Sequence, residues 1–348
     1  MILENFRRGM TFGRMTLWRY WPLAIAAAVC AFGSIGCGQD FAPSSRVTSL
    51  RVLAVSADQQ WDAKSAPKGQ AYAAPGEHVF LQAEWSAPAD DHRVKNWVWA
   101  YCVDPDSTTV SGCIASIGKE AQKDPSHVIR NVTIPTPDRD VFDFVVPSDA
   151  LSRLPSDSRT NATVGVLTIV CPGTLKLADL TTIQQGTIPL QCLEEGTGRA
   201  LGLDEYVVGI KRIFVRQTDR NENPKVAKVT FDGNDWGEKD VKQVGFCDTD
   251  GERYDRCADG DKHQIALVLD PSSYEKGTDE NGTAFTEQLI VQYYSTEGIF
   301  EHEVKTGQQP TTGWVARKAA SGKDLKMWLL ARDNRGGVVW VERTVHVN

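Results

Sequence analysis

Residues 325–347 read Leu325-Lys-Met-Trp-Leu-Leu-Ala-Arg-Asp-Asn-Arg-Gly-Gly-Val-Val-Trp-Val-Glu-Arg-Thr-Val-His-Val347. Two runs rich in β-branched, aromatic and aliphatic residues flank Asp333-Asn334-Arg335-Gly336-Gly337, whose Asn and Gly residues accept the positive φ of a tight turn. The stretch therefore predicts a β-hairpin with strands over 325–332 and 338–347. Along the second strand Val339, Val341, Val345 and Val347 face one way, while Trp340, Glu342, Thr344 and His346 face the other. That period of two is what a half-buried strand needs.

The same texture runs through most of the chain. Short β-rich runs at 50–57, 78–85, 95–103, 127–134, 141–146, 160–171 and 205–217 predict a first strand set. In 78–85, Val79, Leu81, Ala83 and Trp85 share one face, after the turn signal Ala74-Pro75-Gly76-Glu77. The polar stretch Asp219-Arg-Asn-Glu-Asn-Pro224 closes that set, and runs at 226–231, 263–270, 287–295, 298–304, 313–318, 325–332 and 338–347 form a second. Only 174–184 carries a short helical pattern. The expectation is an all-β protein with two β-sandwich domains, 47–218 and 225–348. The first is long for a sandwich of ~100 residues; its excess falls at 59–72, 104–123 and 172–203.

The amino terminus reads as a targeting segment. Arg7, Arg8, Arg14 and Arg19 precede an uncharged run, Pro22 to Gly36, in the order of a secretory signal. About fifteen apolar residues reach roughly 22 Å as a helix, short of the ~30 Å hydrocarbon core, so a signal peptide over 1–36 is preferred to a transmembrane span. Ser34-Ile35-Gly36-Cys37-Gly38 resembles the lipobox of bacterial lipoproteins, which implies acylation of Cys37 and a tether over 37–46. By the same resemblance, Gly38 after the Cys implies the outer membrane. Ordinary cleavage near Gly36 is the alternative.

Residues 1–36 carry four Arg against one Glu, so the remaining 312 of 348 residues carry −10 of the chain's −7 total. An acidic surface without a basic face argues against a nucleic-acid partner. With Cys30 in the signal and Cys37 at the anchor, six of the eight Cys remain. An even number beyond a secretory signal predicts disulfides, and their grouping favours Cys102–Cys113, Cys171–Cys192 and Cys247–Cys257. Structural zinc is disfavoured, because none of these pairs has the two-to-four-residue spacing of such sites.

Arg51-Val-Leu-Ala-Val-Ser-Ala57, Ala74-Pro-Gly-Glu77 before a strand, and Trp99-Ala-Tyr-Cys102 together resemble the opening Ig-like domain of predicted lipoproteins from myxobacteria and their relatives. The closing Ala331-Arg-Asp-Asn-Arg-Gly-Gly337 is similar to the last hairpin of Ig-like and PKD-like modules. The resemblance implies Ig-like sandwiches and an envelope address without supplying an activity.

Four features invite a functional reading. The loop from Cys247 to Asp261 holds Asp248, Asp250, Glu252, Asp255, Asp259 and Asp261, enough oxygen for calcium, although Gly251 arrives too early for an EF-hand; a solvated acidic loop is the alternative. Trp97, Trp99 and Tyr101 share one strand face and, with Trp340, offer an aromatic platform for sugars; a sandwich core is the commoner role. Gly196-Thr-Gly198-Arg-Ala-Leu-Gly202 lacks the βαβ context of a dinucleotide fingerprint. His302, between Glu301 and Glu303, reads as a surface residue whose flanking carboxylates point away from it on a strand. Neither a G-x-S-x-G elbow nor a P-loop occurs, and a non-local triad stays open. The expected function is a non-catalytic binding or structural module, membrane-held through its lipid, whose further partner is another envelope protein or a polysaccharide. A carbohydrate- or calcium-dependent adhesin is the second reading, and a hydrolase with an unrecognised site the third.

Overall fold

The computed structural model describes residues 44–348 apart from 61, 63, 89, 104–108, 124–135, 138–139, 157–158, 178–189, 249–252 and 279–282. The signal at 1–36, Cys37 and the predicted strand at 127–134 lie outside the described residues, as do Asp250 and Glu252. The first strands are β1 (Arg51–Gln60), β2 (His78–Ser86), β3 (Asn96–Val103), β4 (Thr136–Pro137), β5 (Val141–Val145), β6 (Ala162–Cys171), β7 (Thr174–Leu177), β8 (Leu190–Leu193) and β9 (Val207–Val215). Sheet order β1-β2-β5 packs against β4-β3-β6-β9. The core between them takes Val79, Leu81 and Ala83 from β2 and Trp97 and Trp99 from β3, the alternate residues of each strand.

The second set comprises β10 (Val226–Phe231), β11 (Asn234–Asp235), β12 (Val241–Val244), β13 (His263–Leu269), β14 (Lys276–Thr278), β15 (Ala284–Thr286), β16 (Leu289–Ser295), β17 (Ile299–Phe300), β18 (Val304–Thr306), β19 (Thr311–Val315), β20 (Asp324–Asp333) and β21 (Val338–Val347). Orders β11-β10-β13-β19-β17 and β12-β21-β20-β16-β18 face each other across a second core. In both sets the strands split between two sheets by non-sequential pairings, β2 with β5, β3 with β6, and β16 with β20. This is the Greek-key division of an immunoglobulin-like sandwich. Pairing β12 to β21 is parallel and adds β12 as an edge strand of its sheet.

The predicted terminal hairpin forms with Arg332 opposite Val338. Val339, Val341, Val345 and Val347 enter their own core as the alternation requires. The other face is not open: Trp328, Leu330 and Trp340 pack against Val47, Leu53 and Ala54. The hairpin therefore belongs to both sandwiches, and the described chain is one compact unit.

Two local expectations are overturned. The helix placed at 174–184 begins as strand β7, paired antiparallel with β8, because the Cys171–Cys192 disulfide closes a hairpin across its base. A helix does form elsewhere, α1 (Val110–Lys123), inside the predicted loop excess. Thr109 caps it, its Oγ1 accepting from Gly112 N at 3.0 Å. The predicted strand at 298–304 is two short strands, β17 and β18, joined by a bend.

The three predicted disulfides are all present, with Cα separations of 5.5, 5.7 and 5.4 Å for Cys102–Cys113, Cys171–Cys192 and Cys247–Cys257. Such bonds persist in an oxidising, extracytoplasmic environment. The first pins α1 over the outer face of the β3–β6–β9 sheet, where Val98, Ala100, Leu167 and Ile169 would otherwise face water. Among the described residues no helix is long and apolar enough to cross a membrane.

Candidate binding cleft between the sandwiches

The polar stretch 219–224 does lie between the sandwiches, but it is bonded to both. Asn221 is fully buried. Its carbonyl accepts from Ala71 N at 2.8 Å and its Nδ2 donates to Asp333 Oδ2 at 2.9 Å. Asn223 Nδ2 donates to Ala57 O at 2.8 Å, and its Oδ1 accepts from Val338 N at 3.0 Å. The Asn223 side chain, both donor and acceptor, thus bridges two backbones.

The closing turn supplies the other half of the joint. Asp333 Oδ1 accepts from Arg335 N and Gly337 N, 2.8 Å each. A Cβ on Gly337 would stand 2.2 Å from Asp333 Oδ2 and 2.9 Å from Glu222 O, so the turn needs glycine there. Lys211 Nζ of the first sandwich donates to Gly336 O at 2.5 Å, and burial pushes its ammonium down to about 8, with Arg332 adding to the effect. The Arg335 guanidinium lies between the rings of Tyr72 and Phe285, 5.2 and 5.1 Å from their centroids. It pairs with Glu275 and Glu287 at 3.1 Å each. Burial, with Asp333 and Glu275 nearby, pushes Glu287 up to about 7 against the pull of Arg335.

The first described residues also cross over. Val47 N donates to Ser295 O at 2.9 Å, Ser45 O accepts from Ser295 N at 3.0 Å, and Arg46 pairs with Glu297 at 3.1 Å. Residues 44–46, read as tether, are thus docked on the second sandwich, because they complete the hydrogen bonds of Ser295 at the end of β16.

Beside this segment the sandwiches leave a cleft of about 790 Å³. Trp85, Ser86 and Pro88 line it from the first sandwich, and Glu297, Lys323 and Lys326 from the second. It adjoins a groove of about 690 Å³ with which it shares Thr48, Pro88 and Asp91. Trp85 contacts buried Trp97 in a T-shaped pair, centroids 6.0 Å apart. Behind the wall, Trp328 Nε1 donates to Glu342 Oε2 at 3.1 Å, and Lys326 pairs with Glu342 at 3.0 Å. Glu84 faces the same carboxylate; burial first, then Glu342, pushes it up to about 7.

The aromatic platform placed at Trp97, Trp99 and Trp340 is corrected. Trp97 and Trp99 are 0% and 1% exposed, stacked on one another between the sheets, and Trp340 packs on the inter-sandwich cluster. In the acidic loop, Asp248 pairs with Lys318 at 2.6 Å, Asp255 with Arg253 at 2.6 Å and Asp259 with Lys262 at 2.9 Å. Asp261 ends a short 3₁₀ turn. Among the described residues no three His, Cys, Asp or Glu side chains gather to hold a metal. His302 is exposed, in the bend after β17 rather than on a strand; Glu301 accepts from Gly313 N at 3.3 Å, and Glu303 accepts from Ser45 Oγ at 2.9 Å. Gly196 and Gly198 both have positive φ in a turn, where Arg199 pairs with Glu194 and Glu205. The cleft itself escaped sequence reading. Its walls come from residues 200 or more positions apart, and the one local signal was Trp85 at the end of an alternating strand.

Fold and joint together define a class: a two-sandwich β protein with disulfide-stapled insertions and a cleft at its waist. No protein-family model matches the chain. No curated protein matches it either. Among solved structures it is similar to the three N-terminal domains of the Highly Immunogenic Outer Capsid protein (Hoc) of bacteriophage RB49. The two share 9% identity over 86% of this chain and 70% of that one, at a TM-score of 0.21, too low to carry an argument.

Proposed function

We propose that the chain is an exported lipoprotein, held to the outer membrane through acylated Cys37, that acts as a non-catalytic binding module of the cell envelope. The observation that carries the reading is the joint around Arg335, which fixes two sandwiches in one unit and leaves a formed cleft between them. Ligand sites favour such domain interfaces. Three disulfides support export, and the basic, apolar and Cys37-terminated order of the amino terminus supports the anchor. Several acyl chains on one Cys, at about 0.8 kcal/mol per buried CH₂, hold a folded unit firmly at a bilayer. Labelled palmitate fed to expressing cells is expected to enter the wild type and not Cys37→Ala. Equal incorporation in both would remove the anchor.

A further inference from the structure

Glu297, Asp91 and Lys326, three of the charges that line the cleft, already have an opposite charge within the protein. Glu297 takes Arg46 and Arg317 at 3.1 Å each. Asp91 takes Arg93 at 2.7 Å and Lys95 at 3.3 Å, and these hydrogen bonds, with Arg93's the strongest, hold its carboxyl well below the usual range. Asp324 meets His346 at 2.7 Å, Lys326 meets Glu342 at 3.0 Å, and Lys323 Nζ donates to Ala319 O at 2.9 Å. An ionic ligand at Glu297, Asp91 or Lys326 would have to displace one of these partners, at the cost of leaving a charge unpaired.

The cleft still has two other things to offer. Each carboxylate has about four acceptor positions, more than its internal partners occupy, and Ser86 and Thr48 add hydroxyls. Trp85, Ala87 and Pro88, all partly exposed, add apolar surface beside them. A ligand that suits both is uncharged, rich in hydroxyls, and carries a flat C–H face for an aromatic ring. We infer that the cleft between the sandwiches binds a neutral saccharide, with Trp85 as the stacking surface. The volume, within the range of small-ligand pockets, leaves room for a short oligosaccharide. This deepens the binding-module reading above and rests on it.

The test uses the purified full chain in detergent, titrated with neutral trisaccharides of glucose and of N-acetylglucosamine, read by tryptophan fluorescence and saturation-transfer NMR. At least one sugar is expected to bind with little dependence on salt, to weaken at least about tenfold in Trp85→Ala, and to stay within about threefold in Trp85→Phe. Because Trp85 supports the first core, Ala319→Trp serves as the second variant: this exposed position lines the cleft, and the larger side chain should block the sugar without moving the melting temperature. Binding that survives both Trp85→Ala and Ala319→Trp, or binding by no neutral sugar, overturns the saccharide assignment. If instead a charged sugar or a peptide binds, salt-dependently and sensitively to Ala319→Trp, the saccharide falls while the binding-module reading stands.

Discussion

The guanidinium of Arg335 touches both sandwiches: Tyr72 and the carbonyl of Asp219 on one side, and Phe285, Glu275 and Glu287 on the other. Glu287 is 1% exposed, so removing its partner strands a carboxyl in a low-dielectric site. Arg335→Ala is expected to lower unfolding stability by about 3–5 kcal/mol in urea. Adding Glu287→Gln should recover part of that loss, and strict additivity of the two changes would contradict the pairing. Glu84 tests the joint from its other face. Its carboxyl sits at about 7 in the fold against an ordinary 4.5, with Glu342, Lys326, Trp328 and Trp340 around it. Below pH 4.5 it is protonated folded and unfolded alike. Between there and about 7 the unfolded chain gives up its proton first, so the folded state loses stability as pH rises through that window. Glu84→Gln, neutral at all pH, should flatten this part of the melting-temperature profile and raise the value near pH 8 by on the order of 2–4 °C. An unchanged profile would remove Glu84 from the pH response.

At the scale of elements, the face that a strand turns to its own core was legible and the covering pieces were not. In β2 and β21 the alternation of Val79, Leu81 and Ala83, or of Val345 and Val347, identified the buried face. In β3 the alternation named the right face but offered two uses for it, because a row of tryptophans looks the same whether a second sheet or water lies opposite. Helix α1 carried its own signal: Val110, Cys113, Ile114 and Ile117 stand at helical spacing and all meet the outer face of the sheet. The β-rich surroundings and the bracketing Cys pair masked it as loop. At 174–184 the reverse happened, where weak local periodicity lost to pairing with β8. The staple is what ties α1 down. Replacing Cys102 and Cys113 together with alanine should cost about 2–4 kcal/mol. Hydrogen exchange should then speed in α1 and not in β20 or β21. Unchanged protection of α1 would show that packing alone holds it.

For the molecule as a whole, composition and the amino-terminal order pointed to an acidic body carried out of the cytoplasm, and the disulfides agree with that environment. The joint was not legible. Asn221 and Asn223 looked like ordinary linker residues, since nothing local says which distant backbone an amide will bridge. The fixed arrangement of the sandwiches gives the cleft its shape, and the lipid would give it an address. The central claim, an envelope module held through Cys37, is tested most directly by the intact mass of the protein purified from membranes. The mass should match a chain that begins at Cys37 and carries acyl chains. A chain that begins elsewhere without lipid, recovered in the soluble fraction, would contradict it.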